Sequence, residues 1–176
     1  MKKQIIKVLF LFILLKISAQ RNTIDITGGY TIDGYAININ YNIEKQINKI
    51  KVGFFVTKSI DKKSTYKIPY NIINGSVGYF INFFENRKQN FILSGGIDLI
   101  FGYEFINKLN SIVIENNDRI LSKSSFIYGG SVSIEAEYNL NPNFSILIKG
   151  TEFYHFNSSL GSAMPYLGGG IKFLIN

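Results

Sequence analysis

The chain of 176 residues has no cysteine, no tryptophan, a single histidine and three prolines, and only 18% of its residues are charged. Without cysteine there is no disulfide framework, no thiol nucleophile and no Cys-ligated zinc or iron–sulfur site. One histidine leaves too few nitrogen ligands for a zinc enzyme. A charged fraction below the usual ~25% argues against a disordered chain. What the sequence does hold is apolar and aromatic: 46% hydrophobic residues, 15 Phe, 11 Tyr and 16 Gly.

The formal net charge of +7 comes largely from the first residues. Lys2 and Lys3 precede an apolar stretch from Ile5 to Leu15 that only Lys7 interrupts, and Ile17-Ser18-Ala19 follows as a processing site. Residues 1–19 therefore read as a secretory signal peptide, with cleavage expected between Ala19 and Gln20. The apolar run falls short of the ~20 residues of a spanning helix. Removing Lys2, Lys3, Lys7 and Lys16 leaves 15 basic residues against 12 acidic ones. The high net charge is thus no argument for nucleic-acid binding.

From Gln20 onward the period is two. Ile24, Ile26, Gly28 and Tyr30 alternate with Thr23, Asp25, Thr27 and Gly29, and Tyr35, Ile37, Ile39 and Tyr41 alternate with Ala36, Asn38, Asn40 and Asn42. The pattern recurs over 50–57, 73–83, 91–104, 126–139, 144–155 and 167–175. Alternation of this kind marks strands with one apolar face, and it predicts eight of them. Asp33-Gly34, Glu44 to Asn48, Glu85 to Asn90 and Leu140 to Asn143 read as turns. Ser59 to Tyr66 and Phe156 to Met164 read as medium loops. Phe105 to Ser125 reads as a long loop whose apolar patch, Ile112 to Ile114, is suited to a small hairpin. With a periplasmic start, the longest connections all fall outside, an asymmetry typical of outer-membrane barrels.

An apolar face alone does not say whether it points inward or toward lipid. Three features select lipid. The opposite face is dominated by Gly, Ser, Thr and Asn, which suit the crowded interior of an eight-stranded barrel. Its few charges have both signs, with Asp98, Glu104, Glu135 and Glu137 against Lys51, Lys149 and Lys172. Facing lipid, such charges would cost up to about 2–4 kcal/mol each at the midplane, whereas inside a barrel they can pair. Finally, Tyr35, Tyr41, Phe83, Phe91, Phe101, Tyr103, Phe126, Tyr138, Phe144 and Tyr154 lie near strand ends, where two interfacial girdles belong. Gly170, Phe173 and Ile175 add the Gly-x-x-aromatic-x-apolar spacing of a final barrel strand. The predicted fold is all-β, an eight-stranded antiparallel up-and-down transmembrane β-barrel over 20–176.

Candidate chemistry is sparse. His155, Glu152 and Ser158 are close enough to prompt a Ser-His-acid reading, but Asn157 occupies the place of the serine expected in lipid A deacylases. His155 reads instead as a rim histidine. The glycine pairs Gly28-Gly29, Gly95-Gly96, Gly129-Gly130 and the run Gly168 to Gly170 precede neither a helix nor a Gly-Lys-Ser/Thr, so they are not phosphate loops. Within strands they relieve crowding. Lys58, Lys62, Lys63 and Lys67 form a basic cluster that reads as a solvated loop, with lipopolysaccharide or DNA as its alternative contacts. Asn116-Asn117-Asp118 lacks the spacing of a calcium loop. No catalytic, cofactor-binding or metal residue is assigned.

Several segments together resemble the TraO proteins of conjugative transposons. They run in order as Ser18-Ala19-Gln20, Ile26 to Gly29, Lys67-Ile68-Pro69, Gly75 to Tyr79, Gly102-Tyr103-Glu104 with Ile106-Asn107, Ile120-Leu121, Phe126 to Gly130, and Gly170 to Phe173. The resemblance implies an outer-envelope component of a type IV secretion-like conjugative transfer apparatus, with other transfer proteins and outer-membrane lipid as its partners. It brings no catalytic residue and no cofactor, and no sequence-specific contact to nucleic acid is expected. The function expected is a non-enzymatic, structural or anchoring one. The alternative is a surface or adhesion barrel that binds a ligand or neighbouring cell through its outer loops.

Overall fold

The computed structural model describes residues 21–62, 67–106, 124–158 and 161–175. Residues 1–19, read above as a signal peptide, Lys63, the Ile112 to Ile114 patch, Asn116 to Asp118 and Ile120-Leu121 lie outside the described residues. Eight strands follow one another: β1 (Arg21–Thr31), β2 (Gly34–Lys45), β3 (Asn48–Lys62), β4 (Lys67–Glu85), β5 (Phe91–Ile106), β6 (Ser125–Asn141), β7 (Phe144–Phe156) and β8 (Ala163–Ile175). Each pairs antiparallel with its neighbours in sequence, and β1 pairs with β8 to close the barrel. Closure leaves no free edge, so the strands' backbone ladders run within the wall, as a lipid environment demands.

The even/odd alternation places side chains as its period requires. Thr23, Asp25 and Thr27 are buried inside while Ile26 and Tyr30 are exposed on the outer wall. Across the wall, Ile37, Phe54, Val77, Leu99, Val132, Ile134 and Ile148 stand in the open. An apolar outer belt of this extent is the inverse of a soluble protein.

The two ends of the barrel differ. At one, here the turn end, Gln46-Ile47, Asn86 to Asn90 and Pro142-Asn143 connect the strands, and Arg21 and Ile175 lie beside them. Gln46 takes a left-handed φ of 53° to make the first of these turns. At the loop end lie Ile32-Asp33 and the connections β3–β4, β5–β6 and β7–β8. The expected loop from Ser59 to Tyr66 is a correction: β3 runs to Lys62 and β4 starts at Lys67, six residues before the predicted Ile73. The link between them, 63–66, is therefore shorter than the 86–90 turn, and the asymmetry of lengths rests on the β5–β6 and β7–β8 connections. Gly34 likewise begins β2 rather than completing the first turn.

Candidate functional site

The interior is divided in two, which the alternation did not predict. Its turn-end half is charged. Lys51, buried to 1% exposure, bonds the equally buried Glu135 and lies 3.7 Å from Asp25. Lys49 and Lys149 reach the same Glu135 carboxylate at 3.5 and 3.6 Å. Lys172 bridges Glu137 at 2.6 Å and Glu44 at 2.5 Å. Asn40 and Asn42 donate to the two oxygens of Asp25 at 2.6 and 2.8 Å. The Lys51 ammonium also sits 4.5 Å from the centroid of the Phe80 ring. Four ammonium groups and four carboxylates thus share one knot across the lumen. Each charge is met by at least one opposite charge, the condition under which burial is tolerable.

Steric crowding explains several glycines around this knot. A Cβ on Gly96 would run into the Phe80 ring, and one on Gly53 into the side chains of Asn40 and Ser76.

The loop-end half is apolar, a departure from the expected polar interior. Ala36, Phe55, Ile72, Ile100, Ile127, Phe153, Met164 and Tyr166 pack as one cluster inside the wall. Phe55 lies 4.5 Å from Phe153 and meets Tyr166 edge-on at 5.3 Å, centroid to centroid. The Tyr166 hydroxyl donates to Thr27 Oγ1 at 2.8 Å. Here the strands are apolar on both faces, so the lumen is packed like a soluble core.

The proposed rim histidine is also corrected. His155 is buried inside the barrel, stacked on Phe153 at an interplanar angle of 8°, with Nε2 2.9 Å from Asn74 Nδ2. Glu152, three residues earlier on β7, points to the outer wall and is exposed. Ser158 donates instead to Glu104 at 2.6 Å. The strand's period therefore sets Glu152 apart from His155, and Ser158 is turned to Glu104, so no triad forms. Among the described residues no cluster of His, Asp and Glu is arranged to hold a metal ion.

Of the charges expected inside, Lys51, Glu135, Glu137, Lys149 and Lys172 join the knot, Asp98 accepts from Ser131 at 2.9 Å, and Glu104 holds Ser158. Glu44 falls within the turn read over 44–48 and Lys49 between that turn and the strand read from residue 50, although Lys49 keeps the parity of Lys51.

The outer wall carries two aromatic belts. At the loop end Tyr30 packs on Tyr35, Tyr103 on Phe105, and Phe156 on both Tyr128 and Tyr154. At the turn end Phe84 packs on Phe91 and Phe144 on Phe173. Among the described residues, Glu152 and Lys58 are charges that stand on this wall near the loop end. Lys58 is the register partner of Tyr35 and so lies in the loop-end belt, not in a loop as its cluster suggested. Lys62 and Lys67 pair across β3 and β4.

Beside Lys58 the wall is interrupted. The β3–β4 ladder passes from Val56–Ile73 to Ser59–Tyr70, and between them the Ile72 amide donates to the Thr57 hydroxyl at 3.1 Å. The Asn71 amide, oriented to meet its acceptors, donates to the Thr57 and Tyr70 carbonyls at 3.3 and 3.1 Å. Over this seam lies a groove of roughly 710 Å³, bordered by Tyr35, Ile37, Val56, Lys58, Ile73 and Phe105.

A closed eight-stranded wall, apolar outside and banded by two aromatic belts, defines a transmembrane β-barrel. The chain belongs to the family of the conjugative transposon protein TraO, whose family model matches residues 14–175. No curated relative matches the sequence. The fold is that of Neisserial surface protein A, with a TM-score of 0.61 and 11% identity over 90% of this chain and 98% of that one. It is shared with the N-terminal β-barrel domain of Pseudomonas aeruginosa OprF (TM-score 0.51, 12% identity, 88% and 98% covered). Ail, the attachment invasion locus protein of Yersinia pestis, is similar as well (TM-score 0.50, 15% identity, 88% and 97% covered).

Proposed function

We propose that this protein is a non-enzymatic outer-membrane component of a conjugative transfer apparatus, serving as a foothold to which other transfer proteins attach. The carrying observation is the combination of family and interior. A barrel whose lumen is filled by a charge knot and a packed aromatic cluster has no route for DNA or protein through a single chain, which leaves its ends and outer wall as the working surfaces. On this reading residues 1–19 export the chain, the turn end faces the periplasm, and the loop end faces outward. The lipid and the transfer proteins are its partners, and it needs no cofactor.

Deleting the gene in a donor tests this directly. Transfer frequency should fall by orders of magnitude and recover with the wild-type chain, and a tagged chain should copurify with other transfer proteins from the outer-membrane fraction. Unchanged transfer frequency defeats the reading. Normal transfer with loss of attachment to neighbouring cells would favour an adhesion barrel, a role that the long β5–β6 connection at the loop end could serve.

A further inference from the structure

The groove over the interrupted β3–β4 seam differs from the rest of the wall. Over most of its described extent the outer face is apolar, and lipid tails need only lie against it. Here a concavity in the size range of small-molecule sites, ~300–1,000 Å³, opens toward the membrane. Its flanks, Ile37, Val56, Ile73 and Phe105, are apolar, while its floor carries the polar groups of Thr57 and Asn71. Lys58 stands at its border, exposed, and no acid among the described residues pairs with it. Its register partner Tyr35 places it in the loop-end aromatic belt, at headgroup depth. Apolar flanks below an exposed ammonium match an amphiphile with a hydrocarbon tail and an anionic head.

We propose that this groove binds a phosphate-bearing lipid of the leaflet at the loop end, with an acyl chain along Ile37, Val56 and Ile73 and the phosphate on Lys58. Charge complementarity selects the head, since a lysine near a membrane surface attracts anionic headgroups by about 1 kcal/mol. The interrupted ladder selects the place, because the groove lies over it with Lys58 at its border. The assignment of the loop-end leaflet as the outer one rests on the function proposed above, whereas the binding does not.

Native mass spectrometry of the full-length mature protein in detergent tests it, using bisphosphorylated lipid A and its dephosphorylated form as probes. The wild-type protein should retain the phosphorylated lipid in preference. Lys58→Gln should weaken that preference about fivefold to tenfold, and Lys58→Arg should preserve it. Ile73→Trp, which fills the groove, should lower retention of both lipids. Lys45→Gln, which removes an exposed cation at the turn end, should change nothing. Heat-modifiable migration on a gel reports that each variant still forms the barrel, and Ile73→Trp provides the comparison if Lys58→Gln does not. The proposal is overturned by a wild-type protein indifferent to phosphate, by Lys58→Gln binding like wild type, or by Lys58→Gln and Lys45→Gln weakening retention equally. Because binding is read on purified protein, it can fail while the transfer experiment succeeds, and the reverse.

Discussion

Glu135 stands among three ammonium groups, those of Lys49, Lys51 and Lys149, and all four side chains are almost wholly buried. Removing the carboxylate leaves like charges facing one another away from water. Breaking a buried pair in this way costs about 3–5 kcal/mol. Glu135→Ala should accordingly lower the temperature at which the heat-modifiable band is lost, far more than a substitution at the exposed Lys45. Glu152 has the opposite sign of expectation. It faces the lipid side two residues from the belt residue Tyr154, so its replacement by leucine should stabilise the barrel in bilayers by about 1 kcal/mol, measured by urea titration in vesicles. A fall in stability would mean that the carboxylate has a partner in the assembled protein. His155 is packed between Phe153 and Asn74, with Glu152 on the other side of the wall. His155→Ala should therefore leave the lipid composition of the envelope unaltered in mass spectra of extracted lipid A.

At the scale of the strands, what could be read from the chain follows from what lipid selects. Between the belts each strand is sorted by side, and the eight runs of alternation and their facing were legible residue by residue. Beyond the belts that selection ends. β4 has 19 residues where a membrane crossing needs roughly 9–11, so its first part lies past the region that enforces alternation. Asp61, Lys62 and Lys67 then look like loop residues although they are in strands. The apolar lumen was obscured for a related reason. In stretches such as Phe54-Phe55, Ile72-Ile73 and Phe153-Tyr154 both faces are apolar, and a period of two carries no signal when neighbours are alike. The charge knot was half visible, because sign and parity marked Lys51, Glu135, Glu137, Lys149 and Lys172 but not which ion meets which. The groove at Lys58 was not visible at all, since it depends on a ladder interruption that no residue type announces.

For the whole molecule, a lumen filled at one end by ions and at the other by rings predicts no ion conduction. Planar bilayers containing the purified protein should show no discrete current steps, and regular steps would require the knot to open. The wall itself has a consequence in time rather than in space. Its last seam joins strands from the two ends of the chain, Asn22 opposite Ile175, and its middle is Thr27 with Gly170, Gly28 with Gly169 and Gly29 with Gly168. Pairs so poor in side chains offer little to hold until the backbone bonds form, and those bonds join residues that are far apart in sequence, the slowest kind of contact to make. Until that moment two unpaired edges face hydrocarbon, which no stable state permits. Insertion is therefore committed only when β8 has been delivered, and a chain cut short before it should be degraded rather than left in the membrane as a smaller barrel.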